Sequence, residues 1–417
     1  MRRYYEELLT MLLNSLRYRN FRLLWFGTAL SHTGDFMQVM AQGWLVWRLT
    51  DSALLLGLVG FCQALPRLLL SAVGGVIVDR MDRRRLLLVT QGLAMTQAFL
   101  FWALVYFDRI QYWQILILVV FLGAVNSIHQ TARHSLIRLI VPRQQIVNAV
   151  ALHSSLANFT KIIGPSLAGI LISVIGVSGC LFINALSFSA IIVSLWMMDL
   201  PPWEKDERPR GFWSDFSEGF QYVRSNHRVY AALLMAYILA LVGSPYSRFL
   251  PIFATDILHV GAVGFGLLMS APAIGAVISG LCLASLGKLQ LRNILLFANG
   301  MVFSLFLVLF ALSQSMVLSM ASLTLVGACQ MTFRSMLNAR LQMETPPPLL
   351  GRVLSLLFMD RGLWSFGTLF IGSLASLLGT PWAIALCGIC CALTASLFMY
   401  SGAIRARRRL GSERRVN

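Results

Sequence analysis

The sequence predicts an all-α membrane protein with twelve transmembrane helices in two six-helix bundles. Three observations lead there. Of 417 residues, 57% are hydrophobic and only 12% charged, about half the charged share of a soluble chain. The apolar residues run in stretches of about 20, the length that crosses a hydrocarbon core about 30 Å thick. The runs are continuous, whereas barrel strands alternate over about 10 residues. Lipid obliges every backbone N–H and C=O to bond internally, so the runs are helices.

Residues 1–20 come first. Tyr5, Leu8, Leu9, Leu12, Leu13 and Leu16 recur at helical spacing opposite Arg3, Glu6, Glu7 and Asn14, which predicts an amphipathic helix lying on the membrane surface. The spans read as 22–48, 53–78, 86–107, 112–133, 147–174, 178–199, 229–254, 262–285, 293–313, 316–336, 352–378 and 381–403. The first bundle is 21–199 and the second 229–403. Between them, 200–228 is a polar connection that begins Pro- and charge-rich. It ends on a Phe212, Phe216, Phe220, Val223 stripe, read as a linker with an interfacial helix. Residues 404–417 form a basic tail.

Orientation follows from the basic residues. Of 34 Lys and Arg, 28 fall in segments on the side of both termini, and only Arg48 and Arg109 in the opposite loops. By the positive-inside rule both termini are cytoplasmic, in a multi-pass cell membrane protein of bacterial inner-membrane or plasma-membrane type. The same distribution explains the net charge of +17: the basic loops face anionic lipid rather than nucleic acid. Trp25, Trp196 and Trp203 fall at the inner interface, and Trp44, Trp47, Trp113 and Trp382 at the outer one.

The halves resemble each other weakly. Pro142, Ile146, Val150 and Leu152 match Pro346, Leu350, Leu354 and Leu356 after a shift of about half the chain, and repeated halves are a transporter architecture.

Charges within spans mark candidate site residues, because each costs about 2.5–3.5 kcal/mol at the bilayer centre and needs a partner or a wet cavity. Thr28, Ser31, Asp35, Gln38 and Gln42 give span 1 one polar face. That face lines a cavity or forms a polar seam between helices. Arg67 in span 2 lies at the depth of Asp35 and could pair with it. Lys161 is central in span 5, and Asp360 and Arg361 lie two to three turns into span 11, before Trp364. Arg248 in span 7 either faces the cavity or snorkels to the outer interface. Span 4 offers Asn126, His129, Gln130 and Arg133 at i, i+3, i+4, i+7. His129 has two readings, a seam hydrogen bonder or a proton carrier. Arg133 stands near the expected cytoplasmic end of the span.

The loop after span 2 reads Gly75-Val76-Ile77-Val78-Asp79-Arg80-Met81-Asp82-Arg83-Arg84-Arg85. This resembles the loop signature of the major facilitator superfamily, with Asp82 where a second glycine is usual. The resemblance implies a cytoplasmic gate in which Asp79, Arg80, Arg83 and Arg84 latch onto the start of span 11 near Gly351 and Arg352. Gly164-Pro165-Ser166-Leu167-Ala168-Gly169 in span 5 resembles the superfamily's exporter motif, with Ala168 replacing the first of two terminal glycines. Gly34-Asp35, Asn184-Ala185-Leu186-Ser187-Phe188 and Gly351-Arg352-Val353 are similar to the transmembrane secretion effector branch, which includes the enterobactin exporter and drug efflux proteins.

The resemblance implies the major facilitator fold. It also implies a proton-coupled exporter of an amphiphilic small molecule, drug-like or siderophore-like, working by alternating access. Rival readings are a lysophospholipid flippase of the same fold and an uncoupled importer or uniporter. Asp35 is the first proton-coupling candidate and Asp360 the second. The partners expected are a small-molecule substrate, protons and membrane lipid, with the protein a monomer. No Gly-x-x-x-x-Gly-Lys-Ser/Thr run occurs, so energy comes from a gradient or from another chain. No His/carboxylate cluster of metal-site type is seen, and Cys387, Cys390 and Cys391 sit in an apolar run without such neighbours. Neither enzyme activity nor a cofactor is expected.

Overall fold

The computed structural model describes residues 14–199, 221–224, 226–285 and 293–416. The expected surface helix at the N-terminus and most of the linker therefore lie outside the described residues. So do the side chains of Arg67, Gly75, Asp79, Arg80, Gly351, Arg352 and Arg361.

Twelve helices cross the expected positions and no strand occurs among the described residues. They are α1 (Arg19–Thr50), α2 (Ala53–Arg80), α3 (Arg83–Tyr106) and α4 (Tyr112–Ile140). One helical run, Ile146–Trp196, divides at Gly176 into α5 (146–175) and α6 (177–196). Gly176 has φ 74°, a left-handed value that a residue without a Cβ adopts freely, so two spans join without a polar loop. The second half holds α7 (His227–Ile238, prolonged through irregular turns to Ile257), α8 (Gly261–Ser285), α9 (Asn293–Ala311), α10 (Met316–Glu344), α11 (Pro347–Phe358 and Asp360–Leu378) and α12 (Thr380–Val416).

Several boundaries differ from expectation for identifiable reasons. Helix α4 continues to Ile140 because Leu136, Ile137 and Ile140 extend its buried stripe. Arg133 is thus two turns inside the helix rather than near its end. Helix α10 runs two turns further than expected, to Glu344, where Arg340 pairs with Glu344 at 2.8 Å. Helix α12 carries on through the basic tail. Trp44 and Trp47 are buried within the protein, and Trp44 stacks on Phe265 at 5.9 Å.

Two compact units emerge. The first comprises Met1–Asp51, Cys62–Arg208 and Val260–Ser270, the second Ser52–Phe61, Pro209–His259 and Ala271–Asn417. In the first unit α1 packs along α5 and α6. Gly27 and Gly34 carry that contact: a Cβ on Gly34 would strike Ser187 and Asn184, and one on Gly27 would strike Ser194. Small residues two turns apart allow helices to approach closely where the hydrophobic effect gives no drive. In the second unit α8 and α10 are closer still, Gly275 lying on the Thr324 carbonyl and Gly327 on that of Pro272.

Candidate functional site

The first unit encloses a polar cluster where α1, α3, α4 and α5 meet. Arg133 of α4 is buried and hydrogen-bonds to His32 Nε2 of α1. Asp35, one turn further along α1, is half-buried and acts electrostatically on Arg133. His153 of α5 meets the His32 ring edge to face, 6.2 Å between centroids. His32 also feels the charge of Lys161, which is exposed on α5. One carboxylate (Asp35), two basic side chains (Arg133 and Lys161) and three histidines (His32, His129 and His153) thus share one region.

The arrangement follows from helical spacing. His32 and Asp35 stand three apart, and His129 and Arg133 four apart, so each pair lies on one helix face. His129 sits in the α3–α4 seam, 3.3 Å from Thr90 Oγ1 and 3.2 Å from Gln91 Nε2. Between these groups is a cavity of about 10 Å³ lined by Thr28, Ser31, His32, Gln91, His129 and Arg133 together with apolar side chains. That volume is about one water probe.

One turn beyond Asp35 the chemistry changes from charge to amide. Gln38 donates to Gln97 Oε1 at 3.4 Å and accepts from Asn184 at 2.5 Å. All three are buried, as is Gln42. These two hydrogen bonds between buried amides fix the register of α1, α3 and α6, while Gln97 Nε2, Asn184 Oδ1 and the Gln42 amide are left without a hydrogen bond among the described residues. Asn126 and Gln130 are partly buried on α4.

The span-5 motif has a steric explanation. Gly164 faces the Thr33 carbonyl and Phe36 Cβ of α1, leaving no room for a Cβ. This brings α5 against the stretch that bears Asp35. Pro165 and Gly169 extend the close packing to the first turns of α8, where the Pro165 carbonyl meets Gly266 and Gly169 meets Ala262 and Val263. Ser166 and Ser270 hydrogen-bond across the same contact at 2.9 Å.

At the helix ends that follow span 2, Asp82 is the N-cap of α3 and accepts from the Arg84 N–H at 2.9 Å. The departure from the usual glycine thus supplies a helix cap. Arg84 donates to the Trp196 carbonyl at the end of α6, and Arg19 pairs with Asp199 at 2.5 Å. Arg83, the remaining described gate residue, begins α3.

In the second unit, Asp360 pairs with Arg334 of α10 at 2.9 Å. It stands where α11 breaks at Met359. Tyr237 of α7 donates to the Leu356 carbonyl beside that break at 2.7 Å. Arg248 lies over the Trp364 ring, 5.2 Å from its centroid.

Sequence reasoning passed over three participants. His32 was signalled by its i−3 spacing from Asp35. His153 lies two helical turns before Lys161, close to its face. Arg334 carried no local signal, since its partner is 26 residues away on another helix.

Comparison with known proteins agrees with this architecture. Residues 10–413 match the family described as transmembrane secretion effector. The Staphyloferrin A transporter of Staphylococcus aureus is 24% identical, covering 85% of this chain and 89% of that protein. Macrolide efflux protein A of Streptococcus pyogenes is 23% identical over 82% and 86%. The multidrug efflux pump Tap of Mycobacterium tuberculosis is 25% identical over 89% and 92%. Among solved structures, the nucleoside transporter NupG superposes with a TM-score of 0.74 at 13% identity, over 91% of this chain and 98% of that one. An inward-facing bacterial homologue of the human lysosomal transporter Spinster gives 0.73 at 13%, over 91% and 96%. These two share the fold. With the family matched from end to end of the helical core, the chain belongs to the transmembrane secretion effector family of major facilitator transporters, and is a multi-pass membrane transporter rather than an enzyme.

Proposed function

We propose that the protein is a proton-coupled exporter of an amphiphilic small molecule, working by alternating access with both termini cytoplasmic. The observation that carries this reading is Asp35 beside Arg133 and His32 in the interior of the first unit. A carboxylate next to a fixed cation changes the net charge of its surroundings when it takes up a proton. Ionised, Asp35 offsets Arg133. Protonated, it leaves the Arg133 charge uncompensated, and a conformation that hydrates it becomes favoured. A proton then biases two states in the way differential binding requires. Efflux proteins among the relatives support the outward direction, and the basic cytoplasmic loops support the orientation.

The test is Asp35→Asn in proteoliposomes with an imposed pH gradient, after a screen of fluorescent drugs, siderophores and lysolipids has supplied a substrate. The expected result is loss of pH-driven accumulation with downhill exchange retained. Persistence of concentrative transport in Asp35→Asn, with its loss in Asp360→Asn, would move the coupling group to α11.

A further inference from the structure

Helix α7 has an irregular backbone in its outer half. Regular α-helix ends at Ile238. A π-turn follows over Leu239–Gly243, a 3-10 stretch over Pro245–Phe249, a single α-turn over Leu250–Ile252 and a second π-turn over Phe253–Ile257. π-turns and mid-helix 3-10 stretches commonly mark functional positions in a helix. Here Tyr246, Phe249 and Phe253 are fully buried, with Phe253 4.5 Å and Tyr246 6.2 Å from the Phe310 ring. These rings anchor one side of the segment. On the other side Ser247 and Arg248 remain partly exposed.

Neighbouring helices hold this exposed side in place. Gly367 of α11 lies on the Leu241 carbonyl and the Pro245 ring, with no space for a Cβ. That contact sets Trp364, one turn earlier, against Arg248. Gln330 of α10 donates to Ser244 Oγ at 3.3 Å. A guanidinium over an aromatic face combines a planar set of N–H donors with an apolar surface. A planar donor fork beside a flat apolar face fits an oxyanion joined to an apolar body, held bidentately.

We propose that Arg248, on the π- and 3-10-wound part of α7, and Trp364 of α11 form an oxyanion site in the second unit that takes the carboxylate or phosphate of an amphiphile. This names a substrate class for the transport reading and rests on it. The oxyanion has two sources, a soluble organic acid or the headgroup of an anionic lipid.

The experiment is equilibrium binding to the purified full chain in phosphatidylcholine nanodiscs, with empty discs as background. Two dyes with related three-ring bodies are titrated by fluorescence anisotropy: carboxyfluorescein, an anion, and rhodamine 6G, an esterified cation. Saturable binding of carboxyfluorescein is expected, roughly tenfold weaker in Arg248→Gln, as loss of one charge-assisted contact implies. Trp364→Phe should weaken it less. A second arm adds phosphatidylglycerol. Affinity that falls with its fraction in the wild type but not in Arg248→Gln identifies a lipid headgroup as the competing occupant, and unchanged affinity assigns the site to soluble acids.

Equal binding of the two dyes, no saturable carboxyfluorescein binding, or an affinity indifferent to Arg248→Gln overturns the proposal. If Arg248→Gln does not fold, Arg248→Lys serves, because it keeps the charge and loses the fork; affinity equal to wild type overturns the assignment. Binding needs no gradient, so it stands or falls separately from proton coupling.

Discussion

Arg334 of α10 and Asp360 of α11 form an ion pair, Nη2 to Oδ2 2.9 Å, at the break between the two segments of α11. The Arg334 side chain is 64% exposed and that of Asp360 12%. A pair this open stabilises by no more than about 0.2–1 kcal/mol. Its expected importance is positional: it ties the start of the second α11 segment to α10. Single reversals, Arg334→Asp or Asp360→Arg, should lower transport well beyond the small change in melting temperature. The double reversal should recover most of the transport. Recovery of neither would remove the pair from the transport cycle.

Arg133 and Asp35 should be coupled energetically. Arg133→Gln removes a cation that interacts with Asp35, so the single change should destabilise more than Arg133→Gln combined with Asp35→Asn. The expected coupling energy is about 0.5–3 kcal/mol, the range for residues in one network. Thermal unfolding of the four proteins in one detergent gives it directly. Strict additivity would place the two charges in separate environments.

The close helix contacts should differ in tolerance. At Gly34 the atoms a new Cβ would meet are the Ser187 and Asn184 side chains, whereas at Gly327 they are the Pro272 backbone. Gly34→Ala should cost about 1–3 kcal/mol, and shortening Ser187 to Gly should relieve part of it. Gly327→Ala has no side chain to trim and should be worse. Melting curves of the three variants decide, and equal losses with no relief would contradict this packing account.

The two aspartates around the loop between α2 and α3 should separate. Asp82→Ala removes the N-cap of α3, which typically costs about 0.5–2 kcal/mol, and its effect should appear as lowered thermal stability. Asp79→Asn should lower transport while leaving expression and melting unchanged, as expected for a carboxylate that biases states rather than building the core. Parallel loss of expression and activity in Asp79→Asn would point to a purely structural role.

Orientation is tested by single cysteines at Lys205 and Arg409, introduced after replacing the native cysteines. Neither should react with an impermeant maleimide applied to intact cells. External labelling at either position would reverse the topology expected from the basic residues.

The sequence alone determined which segments cross the membrane, because span length and the avoidance of buried charge act locally along the chain. It also marked the polar face of α1 through Ser31, Asp35 and Gln38, and the close-packed span 5 through Gly164 and Pro165. Sequence reasoning did not draw on Gly243, Pro245 and Pro251 of span 7, which lie where the structure changes from α- to π- and 3-10-winding.

Only the tertiary structure decided which polar group meets which. Asp360 stands beside Arg361 in sequence, yet its described ion pair is with Arg334, because adjacent helical residues diverge by about 100° while facing helices converge. Arg133 became part of the interior when α4 proved two turns longer, and His32 became its partner through the α1–α4 approach. Such partners depend on inter-helix distances of a few ångströms. Those distances are set by glycines against carbonyls and side chains on other helices, and no periodicity within a single helix encodes them.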